Sequence, residues 1–234
     1  MAEHEAGKAT YIFASCKTWH RAYFDTLSKE GHAHWIWVSR PAELISVLDR
    51  KSPRYIFFLH WNWLVPESIW ERHECVCFHM TDVPYGRGGS PLQNLIVAGH
   101  SQTKLTALRM IEEMDAGPVY TKKDLDLSGT AQEIYVRAGA LSTEIIRWMV
   151  SVEPEPVPQS GEPVAFRRRI PEQSRLPESG EVAYLYDFIR MLDADSYPHA
   201  FLDYGDFRLE FRKAQQGDME LSAQVKIYKR KNEA

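Results

Sequence analysis

The fold is indicated most clearly by residues 75–97, CVCFHMTDVPYGRGGSPLQNLIV. The apolar run at 75–78 predicts a buried strand, a loop rich in glycine and proline follows His79, and Pro91 opens a predicted helix. Open α/β sheets bind their ligands just beyond the carboxyl ends of the strands. A histidine that leaves a strand into such a loop is well placed for chemistry, so His79 is our first candidate site residue.

Strand-like and helix-like segments alternate on both sides of this stretch. Apolar runs predict further strands at residues 11–14, 34–38, 55–59, 105–110 and 119–125. Helical patterns occupy residues 17–29, a stretch opened by Pro41, residues 66–72, and a long segment from Thr130 to 150. Thr130 and Glu133 have the spacing of a capping box. This alternation predicts an α/β fold, a Rossmann-like domain with a mainly parallel sheet.

The last third of the chain has a different composition. Four prolines lie within ten residues, at positions 154, 156, 158 and 163, which predicts an extended connector. A helix and two or three short strands follow, enough for a small C-terminal α+β appendage. We therefore divide the chain into a catalytic domain (1–152), a proline-rich connector (153–180) and a small C-terminal subdomain (181–234).

Composition limits the possible functions. The 234 residues are 44% hydrophobic and 26% charged, which is typical of a globular chain. The net charge is −4 and no run of like charge exceeds three residues, whereas nucleic-acid binding needs clustered cations. No apolar run approaches the roughly 18 residues of a membrane span. The N-terminus has no secretory pattern and the cysteines fit a reducing compartment, so we expect a cytoplasmic protein without nucleic-acid or membrane partners.

Several short motifs occur in a fixed order, beginning at the end of the predicted fourth strand. They are Cys77-Phe78-His79, Arg87-Gly88-Gly89-Ser90-Pro91, a segment from Gly99 through Thr103 to Thr106, and Asp115-Ala116-Gly117. This order resembles the 10-formyltetrahydrofolate-dependent formyltransferase family, whose motifs are Asn-x-His, Arg-Gly-x-x-Pro, Gly-x-x-x-Thr-x-x-Thr and Asp-x-Gly. The resemblance implies a formyltransferase that uses 10-formyltetrahydrofolate as formyl donor.

Four further stretches of the chain narrow the resemblance. Residues 168–174, 187–190 and 197–201 look like the region after the catalytic domain in sugar N-formyltransferases, and residues 79–94 most resemble the branch acting on 4-amino-4,6-dideoxy sugars. This implies a nucleotide-linked amino sugar as acceptor, such as a pseudaminic acid precursor or perosamine, for surface glycan biosynthesis by a homodimer. Methionyl-tRNA formyltransferases carry a larger, basic C-terminal domain, which we do not expect here.

Two alternatives remain open. The first is a formyltransferase acting on another amine, with a methionyl-tRNA-like or glycinamide ribotide-like acceptor. The second is a non-catalytic folate-binding protein, because Cys77 stands where the family has an active-site asparagine. The presence of both His79 and Asp115 favours an enzyme, since a binding protein does not need that pair.

The resemblance assigns the chemistry to His79 and Asp115. Formyl transfer needs an attacking amine, a stabilised oxyanion and a path for the amine proton, and an imidazole beside a carboxylate suits the proton step. The resemblance makes His79 the acid/base or oxyanion partner and Asp115 the residue that orients it. A thiol at Cys77 is a weak donor, and losing one oxyanion donor costs about 3 kcal/mol in kcat. The replacement donors left open are Thr81, Asn62, Asn94, a backbone N–H and His79 itself.

Other candidates lie in the loops after two predicted strands. Trp61, followed by Asn62, either walls a pterin or nucleotide-base site or is simply packed in the protein. Asp82 is either a second carboxylate of the site or a turn-former before a proline. Arg87 either binds an anion or braces its loop through its planar guanidinium. Tyr85, Gly88 and Gly89 complete this candidate substrate or folate loop.

The alternation of His73, Cys75, Cys77 and His79 suggests a metal site at first sight. Residues two apart on a strand lie nearly 7 Å apart, at about 3.3 Å per residue. Four ligands must all lie within about 2.3 Å of one ion. One straight strand cannot provide that arrangement, and we predict no metal site.

Overall fold

A computed structural model describes residues 8–195 and 197–230 of the chain. Eleven strands are found within these residues. They are β1 (Thr10–Ala14), β2 (His34–Val38), β3 (Tyr55–Phe58), β4 (Cys75–His79), β5 (Tyr85–Gly88), β6 (Gln102–Arg109), β7 (Val119–Asp126), β8 (Val164–Phe166), β9 (Ala200–Tyr204), β10 (Phe207–Gln216) and β11 (Leu221–Lys229).

Six α-helices are found within the same residues. They are α1 (Arg21–Lys29), α2 (Pro41–Leu48), α3 (Glu67–Trp70), α4 (Pro91–Val97), α5 (Ala131–Val152) and α6 (Val182–Arg190). Two short 3₁₀ helices lie at Thr18–His20 and Pro171–Ser174. None of the helices in the described residues combines the length and hydrophobicity needed to cross a lipid bilayer.

The main sheet has six strands in the order β2-β1-β3-β4-β6-β7. The first four of these strands are parallel to one another, and β6 joins β4 in the antiparallel direction. The prediction of a Rossmann-like α/β fold with a mainly parallel sheet is therefore confirmed. Because β1, β3 and β4 are parallel, their carboxyl ends lie at one edge of the sheet, and His79 is the last residue of β4.

Local sequence explains where several elements begin. Proline occupies the first position of both α2 and α4, where its missing N–H costs nothing. Before α5, the backbone N–H of Thr130 donates to the Glu133 carboxylate and the backbone N–H of Glu133 donates to the Thr130 hydroxyl. This is the capping box that the sequence predicts.

Two compact units make up the described chain. The first contains the chain up to Arg87 with Lys104–Leu125 and Val136–Ala165, and the second contains Gly88–Thr103, Asp126–Tyr135 and the chain from Phe166 onward. Both units are built from separated segments. The sequence-based division into three continuous segments, with boundaries at residues 152 and 180, stays a prediction.

The main sheet of the first unit has buried side chains on both faces, and one core cluster lies on one of them. Every residue of β3 is buried, as expected for a strand covered on both faces. The residues of this core cluster are Ile12, Ala14, Val38, Leu44, Ile56, Phe58, Ile69 and Cys75.

The second unit contains the C-terminal α+β part that the sequence predicts. Its three strands form an antiparallel sheet in the order β11-β10-β9, and α6 packs against β10 and α4. The buried Gln93 amide of α4 donates to the Tyr135 hydroxyl and to the Met191 carbonyl, at 2.9 and 3.0 Å. These bonds satisfy a polar side chain in an apolar interior.

A pair of short strands was not predicted. β5 and β8 form a two-stranded sheet of their own, in segments where the sequence suggests a loop and a connector. The backbone N–H of Val164 donates to the Pro84 carbonyl and that of Gly89 donates to the Phe166 carbonyl. The proline-rich connector is therefore tied to the loop that follows His79.

Candidate active site

His79 is presented by the end of β4. Cys75, Cys77 and His79 alternate along this strand and so project from one face of the sheet. The Cα of His79 lies opposite that of Thr106 on β6, and the His79 side chain is largely buried, with 8% of its surface exposed. Burial removes water from around the imidazole and strengthens its contacts with charged neighbours.

Both ring nitrogens of His79 face oxygen atoms. Nδ1 lies 3.5 Å from Oδ2 of Asp115, and Nε2 lies 2.8 Å from the carbonyl oxygen of Gly86. A carbonyl oxygen only accepts, so the Nε2 nitrogen is the donor in the second contact. The structure thus brings together two residues 36 positions apart in the sequence, and a protonated imidazolium would have an acceptor on each side.

Asp115 lies in a tightly held turn. Its φ of 55° is in the left-handed region, which is uncommon for a residue other than glycine. The Gln159 side-chain amide donates to the carbonyl oxygens of Asp115 and Gly117, both at 2.8 Å. A side chain at Gly117 would collide with the Arg109 carbonyl, so glycine is required there.

Arg87 is fully engaged with protein groups in the same region. Its Nε and Nη2 atoms donate to Oε1 of Gln159 at 3.1 and 2.9 Å, and its Nη1 atom donates to Glu113 at 3.0 Å. Of the two interpretations suggested by the sequence, this geometry corresponds to a brace within the loop. Sequence reasoning missed Gln159 altogether, because nothing within the proline-rich connector marks it.

The loop after His79 has its own internal bonds. The buried Thr81 hydroxyl donates to the Gly86 carbonyl at 3.3 Å, and the Thr106 hydroxyl donates to the Thr81 carbonyl at 2.7 Å. Asp82 is about half exposed and pairs with Lys122 at 2.5 Å. Asp82 therefore lies in a surface ion pair, and Tyr85 begins β5 in a partly buried position.

Cys77 packs against the core cluster of the first unit. Burial of its thiol, together with the negative charge of Asp115, raises the pKa of Cys77 well above its ordinary value. Burial likewise raises the pKa of Cys75 to about 12. Since the thiolate is the reactive form of cysteine, both residues stay protonated near neutral pH.

The remaining candidates are placed in different surroundings. In the first unit, Trp61 packs edge-on against Phe58 and Trp63, with ring centroids 5.6 and 5.0 Å apart, and Asn62 is exposed beside it. In the second unit, the Asn94 amide nitrogen donates to two backbone carbonyls, those of Gly89 and Arg167. Both amide hydrogens of Asn94 are thus used within the protein.

Gly88 and Gly89 make room for the protein's own chain. A side chain at Gly88 would meet the Phe166 carbonyl, and one at Gly89 would overlap the backbone of Arg168. These contacts explain why glycine is needed at both positions without invoking a ligand. As for metals, residues 8–195 and 197–230 contain no group of three or more His, Cys, Asp or Glu side chains that could hold an ion.

The protein thus combines a Rossmann-like α/β fold with a histidine–carboxylate pair at the carboxyl end of an inner strand. Its sequence and structure are similar to named proteins. A methionyl-tRNA formyltransferase from Clostridium thermocellum has 39% sequence identity and a TM-score of 0.90, and the match covers 94% of this chain and 99% of that one. The chain therefore belongs to the formyltransferase family, as the motifs predict.

The C-terminal part matches a family model described as "Methionyl-tRNA formyltransferase, C-terminal domain", over residues 171–228. Methionyl-tRNA formyltransferase of Rickettsia massiliae is 25% identical over 179 residues, which are 74% of this chain and 59% of that protein. The chain spans about three fifths of the length of the curated relatives it matches. These matches correct one expectation. From the sequence alone we do not expect the C-terminal domain of methionyl-tRNA formyltransferases in this chain, whereas the family model relates residues 171–228 to that domain.

Two more distant structures share the fold. A sugar N-formyltransferase from a Shewanella species has 14% identity and a TM-score of 0.70, with 90% of this chain and 99% of that chain covered. HypX from Aquifex aeolicus in complex with tetrahydrofolic acid has 16% identity and a TM-score of 0.69, with 89% and 38% covered. At these identities the similarity concerns the fold alone.

Proposed function

We propose that this protein transfers a formyl group from 10-formyltetrahydrofolate to the amine of an acceptor. The observation that carries the proposal is the pair formed by the buried His79 and the partly buried Asp115, with Nδ1 and Oδ2 3.5 Å apart at the carboxyl end of β4. Membership of the formyltransferase family and the folate complex of HypX support it. A folate-binding protein without catalysis would not need this pair.

Several aromatic and polar side chains of the first unit fit the proposed formyl donor. Trp61 and Trp63 offer aromatic faces just after β3, which suit stacking on a flat pterin ring, and Asn62 and Tyr85 are the polar groups we propose to hold it. When bound, 10-formyltetrahydrofolate supplies the formyl carbon: the bond from that carbon to N10 breaks as the bond to the acceptor nitrogen forms. No described side chain needs to become covalently attached.

His79 moves the proton in the proposed mechanism. The acceptor amine loses a proton as it attacks, and the N10 leaving group gains one, so a single imidazole can receive the first and return the second. The Asp115 carboxylate stabilises the imidazolium between these two steps. Since Nε2 bonds to Gly86 in the structure, the ring must exchange one of its two contacts for the substrate.

The oxyanion donor also falls to His79 in this proposal. The Thr81 hydroxyl and both amide hydrogens of Asn94 are committed to carbonyl oxygens. The Cys77 thiol is a weak donor, and burial raises its pKa, which disfavours the thiolate form that a nucleophile needs. Once the imidazole has received the proton of the acceptor amine, the resulting imidazolium is the strongest donor on this face of β4, and it returns that proton to N10 when the formyl carbon–N10 bond breaks.

We propose a nucleotide-linked amino sugar of the 4-amino-4,6-dideoxyhexose type as the acceptor. The net charge of −4 and the lack of long basic runs suit a small acceptor better than a tRNA, whose phosphates need many cations. The fold shared with the Shewanella sugar N-formyltransferase supports this choice. The second candidate is methionyl-tRNA, which the 39% identity and the match at residues 171–228 favour.

We also propose that the protein forms a homodimer in the cytoplasm. The pairing register of β9, β10 and β11 places four partly exposed apolar side chains on one face of the C-terminal sheet: Leu202, Phe207, Val225 and Ile227. Such a patch is typical of an interface between protomers. The cytoplasmic location is supported by the three cysteines of the protein, which are unpaired and fit a reducing compartment. Light scattering of Ile227→Lys should show monomers where the native protein shows dimers; a native monomer would contradict the proposal.

The function is tested by a panel assay. The protein is incubated with 10-formyltetrahydrofolate and either nucleotide-linked 3-amino or 4-amino sugars or methionyl-tRNA, and products are analysed by mass spectrometry for one added formyl group. A formylated sugar supports our proposal, and formylated methionyl-tRNA supports the second candidate. Folate binding without any formylated product, together with an unchanged folate affinity in His79→Ala, would favour the non-catalytic alternative.

A further inference from the structure

Gln159 connects Arg87 to the turn that carries Asp115. Its Oε1 atom accepts two hydrogen bonds from the Arg87 guanidinium, and its Nε2 atom donates two, to the carbonyl oxygens of Asp115 and Gly117. All four bonds are between 2.8 and 3.1 Å long. Gln159 lies in the proline-rich connector, 44 residues after Asp115.

The chemistry of the partners explains why a glutamine is needed. A guanidinium can only donate hydrogen bonds, and backbone carbonyl oxygens can only accept them. The residue between them must accept on one side and donate on the other, which a side-chain amide does and a carboxylate or an ammonium does not. The partners therefore also fix which end of the Gln159 amide is oxygen.

These bonds hold the backbone from which the Asp115 carboxylate projects. The turn is in the left-handed region at Asp115, and Gly117 is pressed against the Arg109 carbonyl on its other side. The carboxylate lies 3.5 Å from His79, at the outer limit of hydrogen-bond distance. A small displacement of the turn would therefore change the contact between carboxylate and imidazole.

We propose that Gln159 is a positioning residue of the active site, which acts by fixing the turn of Asp115 and thereby the orientation of its carboxylate toward His79. The inference rests on the proposed function, in which Asp115 supports the imidazolium. Gln159 itself does not touch His79 in this arrangement. The connector thus contributes to catalysis through the two hydrogen bonds that Gln159 donates to backbone carbonyl oxygens.

The kinetic test compares two substitutions with a matched control. Gln159→Met keeps the length of the side chain and removes all four bonds, whereas Gln159→Glu keeps an acceptor for Arg87 and loses both donors. Glu155→Met, at an exposed position of the same connector, is the control. We expect both Gln159 variants to lower kcat tenfold to a hundredfold with KM within about twofold, since a 1 Å misplacement can cost about a hundredfold. The control should match the native protein.

A double-mutant cycle separates positioning from a merely structural role. If Gln159 acts through Asp115, Gln159→Met should have no further effect on kcat in an Asp115→Ala background. An equal loss of kcat in both backgrounds would overturn the inference, as would a native kcat in both Gln159 variants. Thermal unfolding of each variant identifies any that fails to fold, and Gln159→Glu is the variant that best preserves packing.

A second measurement does not depend on turnover. The imidazole ¹⁵N and ¹³C NMR signals of His79 in the free protein should move in Gln159→Met and in Gln159→Glu, and stay in place in Glu155→Met. Unchanged signals in folded Gln159 variants would overturn the inference. If the native protein transfers no formyl group to any acceptor, the proposed function fails, and this measurement still decides whether Gln159 orients Asp115 toward His79.

Discussion

Replacement of Asp115 by asparagine tests the electrostatic basis of the proposed mechanism. The carboxylate and the imidazole are 3.5 Å apart and both side chains are less than 15% exposed. At an effective dielectric constant of about 20, two unit charges at this distance interact by about 5 kcal/mol. Asparagine retains a carbonyl oxygen that can face Nδ1, so we expect about half of this stabilisation to be lost. At about 1.4 kcal/mol per tenfold, kcat should fall about fifty- to a hundredfold.

The assay measures initial rates of formyl transfer at saturating acceptor, with product quantified by mass spectrometry. Asp124→Asn is the matched control, because Asp124 is an exposed residue of β7 in an ion pair with Lys104. This control should keep the native rate. If Asp115→Asn retains more than a third of the native kcat, the Coulomb argument and the proposed role of Asp115 are both wrong.

Three further predictions follow from burial. The raised pKa of Cys77 should make it resist iodoacetamide at pH 8 in the native protein, while it reacts readily in urea. Burial lowers the pKa of His20 to about 2. Since the unfolded histidine titrates near 6.5, stability should fall below pH 6.5 by up to about 1.4 kcal/mol per unit, and His20→Asn should reduce this slope. The buried Arg190 guanidinium donates to two backbone carbonyls, so Arg190→Met should cost about 2–4 kcal/mol.

Each of these has a direct readout and an outcome that contradicts it. Rapid native labelling of Cys77, identified by peptide mass spectrometry, would show that its thiol is accessible and ionised. For His20→Asn, urea unfolding at pH 7 and pH 5 gives the change in the free energy of unfolding with pH. If this change equals that of the native protein, another group controls the pH dependence. For Arg190→Met, a melting temperature equal to that of Arg50→Met, at an exposed position in the turn after α2, would contradict the role of the buried bonds.

Local sequence signals account for most of the fold. Proline at the starts of α2 and α4 and the capping box before α5 act within a few residues, so they can be recognised without knowing the tertiary structure. Strands β5 and β8 escaped prediction because each is short and pairs only with the other across a long stretch of sequence. Two of the four residues of β5 are glycines, which are poor strand formers.

The family and the position of His79 are both predictable from the chain alone, because the order of the motifs and the strand that ends at His79 can be recognised without tertiary contacts. The surroundings of that histidine depend on the tertiary structure. It placed Asp115 beside Nδ1, Gly86 beside Nε2, and Gln159 between Arg87 and the Asp115 turn. Hydrogen bonds between residues tens of positions apart depend on how the loops converge at the sheet edge, and no periodicity or spacing in the sequence records that convergence.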